Sequence, residues 1–435
     1  MLDLKLIFRS FKHRNYRLFF IGQSISLVGI WMQLIALSWL VYRLTNSPLL
    51  LGLVGFTGQI PTFILAPLAG VVADRYNRHR ILIITQTLAM FQALVLSILV
   101  MTGNIKVEYI IILSILSGLI NAFDMPTRHS FIIETIDNKQ DLSNAIALNS
   151  SMFNAARLIG PSIAGILIAT VGEGLCFLLN AISYIAVIGT LLALHIKPQE
   201  RKVPRKHILR ELKEGFVYVS SFAPIKAILF ILALISLLGV PYQVLMPIFA
   251  RDIFHGGPRT LGYLMAMSGT GALMGAVYLA NRKSVIGLDR IIAFASGCFG
   301  IGIIIFALSK VIWFSMLMIL IIGFSMMIQM AACNTVLQMI VEEDKRGRIM
   351  SFYTMAFMGT MPFGSLLAGG LANKIGAPNT LLIGGICCVL ASVVFASKLT
   401  LLKRKMHPIY VEKGIIPEVA KGIESASGLK GLSEP

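Results

Sequence analysis

The chain has 435 residues, of which 56% are hydrophobic and only 13% charged, with a formal net charge of +18. An ordinary soluble protein carries about 25% charged residues, so this one cannot cover a water-facing surface, and disorder, collagen and coiled coil are excluded by the same numbers. The basic excess lies in loops between apolar runs, which reads as membrane topology and argues against a nucleic-acid partner.

A membrane helix needs roughly 20 apolar residues. Runs of that kind fall at about 15–41, 48–73, 81–102, 109–126, 142–170, 174–196, 226–250, 259–281, 289–309, 311–340, 347–372 and 376–400. They are continuous and lack the period-two alternation of barrel strands. The prediction is an all-α membrane protein with twelve transmembrane helices in two pseudo-symmetric six-helix bundles.

In chain order, a basic start (Lys5, Arg9, Lys12, Arg14, Arg17) precedes an apolar stretch over 18–41. That stretch is too long for a signal-peptide core and reads as an uncleaved first span. The even loops hold Arg75, Arg78, Arg80, Arg128, Lys139, Arg282, Lys283, Arg290, Lys345, Arg346 and Arg348. The odd loops hold only Arg43, Lys106, Arg251, Arg259, Lys310 and Lys374. The asymmetry places both termini in the cytoplasm of a multi-pass protein of the plasma (inner) membrane.

The first half is expected over 1–196, a basic cytoplasmic linker over 197–225, the second half over 226–400 and a cytoplasmic polar tail over 401–435. The linker reads as a connection with surface charge; its KEGFVYVSSF stretch could also form an amphipathic helix on the inner leaflet. The halves echo each other faintly: Ser47-Pro48-Leu-Leu-Leu-Gly52 opens span 2 and Gly257-Pro258-Arg-Thr-Leu-Gly262 opens span 8. Two such repeats put a substrate site between the halves near mid-bilayer. The cysteines (Cys176, Cys298, Cys333, Cys387, Cys388) lie inside apolar runs without metal-ligand spacing, so they read as packing thiols, and no metal or cofactor is expected.

The loop after span 2 reads Gly70-Val-Val-Ala-Asp74-Arg75-Tyr-Asn77-Arg78-His-Arg80. A glycine allows close helix approach and an aspartate can face a positive helix N-terminus, although any basic cytoplasmic loop could look similar. The pattern resembles the signature of the major facilitator superfamily, with Asn77 where the family usually has a second glycine. The resemblance implies that Gly70, Asp74, Arg75, Arg78 and Arg80 form a conformational switch, with Asp74 engaging the start of span 11. In the second half Asn281 replaces the acid.

Further motifs are Gly22-Gln23-x-x-Ser-x-x-Gly29-x-Trp31-Met32-Gln33, Ala122-Phe123-Asp124-Met125-Pro126-Thr127-Arg128, Asn144-Ala145-Ile-Ala-Leu-Asn149 and Arg346-Gly347-Arg348. They resemble the drug-exporter branch that contains macrolide efflux proteins and the enterobactin exporter, over about residues 10 to 400. Gly160-Pro161-Ser-Ile-Ala-Gly165 in span 5 is similar to the antiporter motif of exporters, with Ile166 in place of its final glycine. It tilts the reading toward export, the plain alternative being a packing kink.

Arg157 is the most informative charge. Ten residues past Ala147, at ~1.5 Å each, it stands about 15 Å deep, where an arginine costs roughly 2.5–3.5 kcal/mol even on a lenient scale. A structural pair with Asp124 is one expectation, and a coupling or substrate-contact role the other. By superfamily analogy spans 1, 4, 7 and 10 line the cavity, offering Gln23, Trp31, Gln33, Asn121, Tyr242, Gln243, Gln329, Asn334 and Gln338, beside Met326, Met327 and Met330. Amides and thioethers suit a large, loosely recognised substrate, and also ordinary helix packing. Pro241 and Pro247 mark a hinge in span 7.

The resulting expectation is a secondary active transporter that exports amphipathic, drug- or siderophore-like small molecules by alternating access, coupled to protons. A lipid or lysolipid flippase or an importer is the alternative. Its partners would be substrate, the coupling proton and membrane lipids, with no oligomer required. No Gly-x-x-x-x-Gly-Lys-Ser/Thr loop occurs, so ATP is not the expected fuel. No set of intramembrane catalytic residues suggests an enzyme.

Overall fold

The computed structural model describes residues 9–196, 208–282 and 285–412. Among the described residues all regular structure is helical, and twelve helices are long and apolar enough to span a bilayer. They are α1 (Arg14–Thr45), α2 (Pro48–Arg75), α3 (Arg78–Met101), α4 (Val107–Phe131), α5 (Leu142–Thr170) and α6 (Glu173–Leu192), then α7 (Ala223–Ile253), α8 (Pro258–Ala280), α9 (Leu288–Leu308), α10 (Ile312–Ile340), α11 (Lys345–Ile375) and α12 (Ala377–Ser397). The ends have local causes. Ser47 caps α2 by accepting the Leu50 N–H, with Pro48 in the first turn. Asn77, the residue that departs from the signature, caps α3 by accepting the Arg80 N–H. Span 4 runs five residues past its expected end at 126, because α4 continues through Pro126 to Phe131.

In the first half α1 packs on α5 and α6, α2 on α4, and α3 on α4 and α6; in the second, α8 packs on α10, α9 on α10 and α12, and α11 on α12. The halves meet chiefly through α5 with α8 and α2 with α11. These two crossings are built alike. Gly52 lies against Gly369 and Gly262 against Gly165. A Cβ on Gly369 would stand 2.6 Å from the Pro48 carbonyl oxygen, and one on Gly165 would stand 3.0 Å from the Pro258 carbonyl oxygen. Backbone meets backbone at both sites, which glycine permits and larger residues obstruct. The echo at 47–52 and 257–262 therefore marks equivalent contacts of a pseudo-two-fold arrangement, on the face away from the termini.

Span 7 is irregular. π-helical turns at Ile235–Gly239 and Phe249–Ile253 flank a short α segment, Tyr242–Ile248. Pro241 has no N–H to return to the preceding turn, and the Val240 N–H reaches five residues back to the Ile235 carbonyl at 3.0 Å. Helix α11 carries its own π turn at Met355–Gly359, and the two irregular segments touch where the Ser236 hydroxyl donates to the Phe357 carbonyl.

Of the basic segment 197–225, residues 197–207 lie outside the described residues, and Ile208–Ser221 is a helix. It rests on the first turns of α11: Gly215 faces the Phe352 ring, and the Lys345 ammonium lies 4.6 Å from the Tyr218 ring centre. The start of the expected polar tail is also structured. Leu399–Glu412 is a helix that buries Leu402 and Met406 one turn apart and sets Lys403 3.4 Å from Asp289. Residues 413–435 lie outside the described residues.

Candidate functional site between the two halves

The two ends of the inter-half interface differ. On the face away from the termini, the Tyr42 hydroxyl of α1 donates to Asp252 of α7, and Arg251 donates to Asn46 at 2.6 Å. The same guanidinium stands 5.7 Å over the Tyr42 ring. With the two glycine crossings, these contacts close that face.

At the terminus-bearing face the described residues show no side-chain hydrogen bond or ion pair between the halves. A Cβ on Gly70 would meet nothing within 4 Å. Asp74 is exposed and pairs with Arg78, 3.2 Å away in its own half. Arg78 also holds Glu134 at 3.1 Å and the Ala73 carbonyl at 3.0 Å, while Arg75 and Arg80 are exposed. The expected contact of Asp74 with the start of span 11 is not made in this conformation, because Arg78 satisfies the carboxylate locally.

The chain start is tied to the same half. Arg9 pairs with Asp141 at 3.2 Å, the Ser10 N–H donates to Asn144 at 3.1 Å, and the His13 ring lies between Asp137 at 3.2 Å and Asp141 at 3.0 Å. Burial alone would lower the His13 pKa; hydrogen bonds and charge from Asp141 and Asp137 outweigh it and raise the group above its ordinary value.

Midway through the bilayer the interface holds Arg157, roughly 20 Å from either end of α5 at ~1.5 Å per residue. Its guanidinium lies 5.7 Å over the Trp31 ring, and Phe153 meets that ring edge-on at 5.7 Å. Gly22 and Gly29 seat α1 on the peripheral α6, at Thr190 and Asn180. Trp31 follows Gly29 by two residues, about 200° round the helix, so it faces away from α6 toward the molecular centre. Gly160 lets α5 approach there, since a Cβ on it would stand 2.5 Å from the Trp31 Cβ; across the interface a Cβ on Gly269 of α8 would stand 2.9 Å from the Arg157 carbonyl oxygen. Trp31 and Arg157 are both only partly buried.

The expected Asp124–Arg157 pair does not form. Asp124 is 2% exposed and pairs with Arg128, one turn further along α4. Thr85 and Gln86 of α3 donate to its Oδ1 at 2.8 and 2.7 Å. A partner four residues away on the same helix is always within reach, and Arg128, assigned to a loop by the short estimate of span 4, is inside the helix. Among the described residues Arg157 has no acidic partner. The signal for the correct pair was the i, i+4 spacing itself.

The amides also divide. Gln33 donates to Gln92 at 3.1 Å and accepts from Asn180 at 2.7 Å, a brace joining α1, α3 and α6 within one half. Gln329 is buried beside Cys333, and Tyr242 is buried against the Ser268 hydroxyl at 2.7 Å. Gln23 is buried with neither amide atom hydrogen-bonded. Gln243 is partly buried, 3.4 Å from the Tyr242 hydroxyl. Asn121, bonded to Ser117 at 3.4 Å, and Gln338, bonded to Asn334 at 2.5 Å, remain exposed. Phe153, and the Phe56, Phe63 and Phe363 rings across α2 and α11, were not singled out by the sequence, where aromatics read as ordinary lipid-facing or core residues. Pro161 and Gly165 of the antiporter-like motif sit at the α5–α8 crossing: a Cβ on Gly262 would stand 2.8 Å from the Pro161 carbonyl oxygen.

Comparison with known proteins follows the same lines. A family model described as transmembrane secretion effector matches residues 7–429. The staphyloferrin A transporter of Staphylococcus aureus is 28% identical over 87% of this chain and 94% of its own length. The multidrug efflux pump Tap of Mycolicibacterium fortuitum is 24% identical over 84% and 91%. Macrolide efflux protein A of Streptococcus pyogenes is 22% identical over 88% and 96%. Among solved structures, a bacterial homologue of the iron transporter ferroportin in an inward-facing state aligns with TM-score 0.69 at 16% identity, covering 89% of this chain and 99% of that one. Helix count, half-to-half packing and these matches lead to one conclusion: the chain is a multi-pass membrane transporter of the transmembrane secretion effector family, within the major facilitator superfamily.

Proposed function

We propose that this transporter is a proton-coupled exporter of amphipathic small molecules, with both termini in the cytoplasm of the plasma membrane. The observation that carries the reading is the asymmetry of the interface. It is closed by glycine crossings and the Tyr42–Asp252 contact on one face, and open beside Gly70 and Asp74 on the other. The loops of the open face carry most of the loop arginines and lysines, as a cytoplasmic face does. A site open to the cytoplasm and closed outside is the loading state of an exporter and the release state of an importer; the efflux proteins among the relatives favour the first. The efflux and siderophore transporters among the relatives support small-molecule cargo.

For coupling, Asp124 is the most deeply buried carboxylate among the described residues. Protonating it would weaken its hold on Arg128, Thr85 and Gln86 and loosen α4 against α3. The test is flux in proteoliposomes with an imposed pH step and a panel of macrolides and siderophores. Movement out of the lumen-equivalent of the cytoplasm that follows the proton gradient and collapses with a protonophore is expected. Flux indifferent to the gradient overturns the coupling, and uptake in the opposite sense overturns export.

A further inference from the structure

We infer that Arg157, framed by Trp31 and Phe153, is a recognition site for an anionic group, so that the cargo is an amphipathic organic acid with a carboxylate or similar oxyanion beside an apolar body. The inference rests on the transporter reading, since it places cargo between the halves, and narrows the substrate class.

The argument is one of charge. Few charged side chains of the spans lie more than a turn from a helix end: Asp124, paired with Arg128 in the last turn of α4, and Arg157. The first two neutralise each other inside one half. Arg157 is left as a positive charge with no acid among the described residues, at the depth where an unpaired charge is most costly. Arg157 is only partly buried, and among the described residues no hydrogen-bond acceptor meets its guanidinium. Trp31 holds the cation by its ring face and leaves the N–H edge free to meet a planar oxyanion in two parallel hydrogen bonds. The exposed Phe153 ring next to it offers apolar surface for the rest of the molecule. An ammonium-bearing cargo at this place would meet repulsion and no carboxylate, because Asp124 is turned into α3 and occupied.

The position also suits a site that must survive alternating access. The Arg157 backbone sits against Gly269 of α8, at the contact between the halves, so the guanidinium stays beside the interface whichever face opens.

The experiment is equilibrium dialysis of the full chain in neutral-detergent micelles with three matched radiolabelled probes: 2-naphthoxyacetate, its carboxamide, and 2-(2-naphthoxy)ethylamine. Wild type is expected to bind the acid at least about tenfold more tightly than the amine, the scale of one charge-assisted bidentate contact. Arg157→Gln should abolish that preference, while Arg157→Lys, which keeps the charge, should retain part of it at weaker affinity. Quenching of Trp31 fluorescence by the acid, in a Trp39→Phe/Trp313→Phe background, locates the probe. Equal binding of acid and amine by wild type overturns the inference. So does an Arg157→Gln protein with the wild-type preference, or an Arg157→Lys protein with none. Acid-selective binding without export would remove the export reading alone, whereas export that ignores cargo charge would remove this inference alone.

Discussion

The two faces of the interface are held by different physics. Away from the termini, closure is largely backbone packing: two glycine-on-glycine crossings, Gly52 with Gly369 and Gly165 with Gly262, repeat one geometry about the pseudo-two-fold axis. At the terminus-bearing face the chain has its charges, but Asp74, Arg78 and Glu134 spend them inside the first half and Lys345 is turned to the linker helix. Packing of bare backbone is strong at contact and vanishes within an ångström or two. Ion pairs can exchange partners at nearly constant energy. One face is thus suited to snap shut, and the other to swap intra-half for inter-half pairs when it closes.

The largest effect should come from wedging the packed face. Gly165→Val puts a Cβ 2.9 Å from the Gly262 Cα and 3.0 Å from the Pro258 carbonyl oxygen with two methyls beyond it, and overpacking of this kind costs about 1–3 kcal/mol. Gly165→Val is expected to cut flux at least ~10-fold. It should also raise labelling of a Phe153→Cys reporter by an impermeant maleimide applied from the wedged, packed face. Wild-type flux with unchanged labelling would break the account of how that face closes. Gly52→Val should do the same through α2 and α11, since the two sites are equivalent.

Next is the buried pair, which sets the rigidity of the half that bears the open face's charges. Removing one partner of a buried pair costs about 3–5 kcal/mol, so Asp124→Asn should lower the melting temperature of the purified protein by several degrees. Adding Arg128→Met should recover part of the loss, with a coupling of at least ~1 kcal/mol. Adding Arg157→Met should be simply additive. Coupling to Arg157 and none to Arg128 would overturn the pairing seen here.

A smaller effect belongs to the open face. Asp74→Asn removes the carboxylate that, under the proposed switch, leaves Arg78 for the other half on closure. Flux should fall about threefold, the scale of one net hydrogen bond, with cargo affinity almost unchanged. Lost binding with intact cycling would show that Asp74 does not act as a switch.

Much of this architecture was legible because hydropathy is additive along a helix. Twelve spans, their approximate ends and the two-fold echo at Pro48 and Pro258 follow from counting apolar residues and noting a repeated turn. What those glycines touch was not legible, since Gly52 meets a residue more than 300 positions away and contact at a distance leaves no local trace. The site was legible by residue type and misread by partner. Arg157 stood out as a deep charge, but depth alone favoured Asp124 as its acid, and one extra turn of α4 gave that acid to Arg128. Gln33 and Gln329 look like cavity residues by chemistry and are packing residues by position. The π turns of α7 and α11 have only nearby prolines as outward signs, Pro241 and Pro247 in α7 and Pro362 in α11.

The smallest effect tests whether the open face is truly organised half by half. Among the described residues the chain start is clasped to the first half by Arg9 on Asp141 and by His13 on Asp137 and Asp141. His13 has its pKa raised in the folded protein, after burial, which opposes the shift, is outweighed by the two carboxylates. A raised folded pKa means that the clasp gains its full stability below the ordinary histidine value near 6.5 and loses it as pH climbs through the raised value. Amide exchange over residues 10–16 should therefore quicken as pH climbs above the ordinary histidine value, through the raised one, beyond the intrinsic base catalysis measured in a His13→Gln protein. Exchange in the loops of the second half should show no matching step. A pH step shared by both halves would mean that the two sides of the open face are coupled even when apart, and the contrast between a packed face and a face of independent charge networks would then fail at its weakest contact.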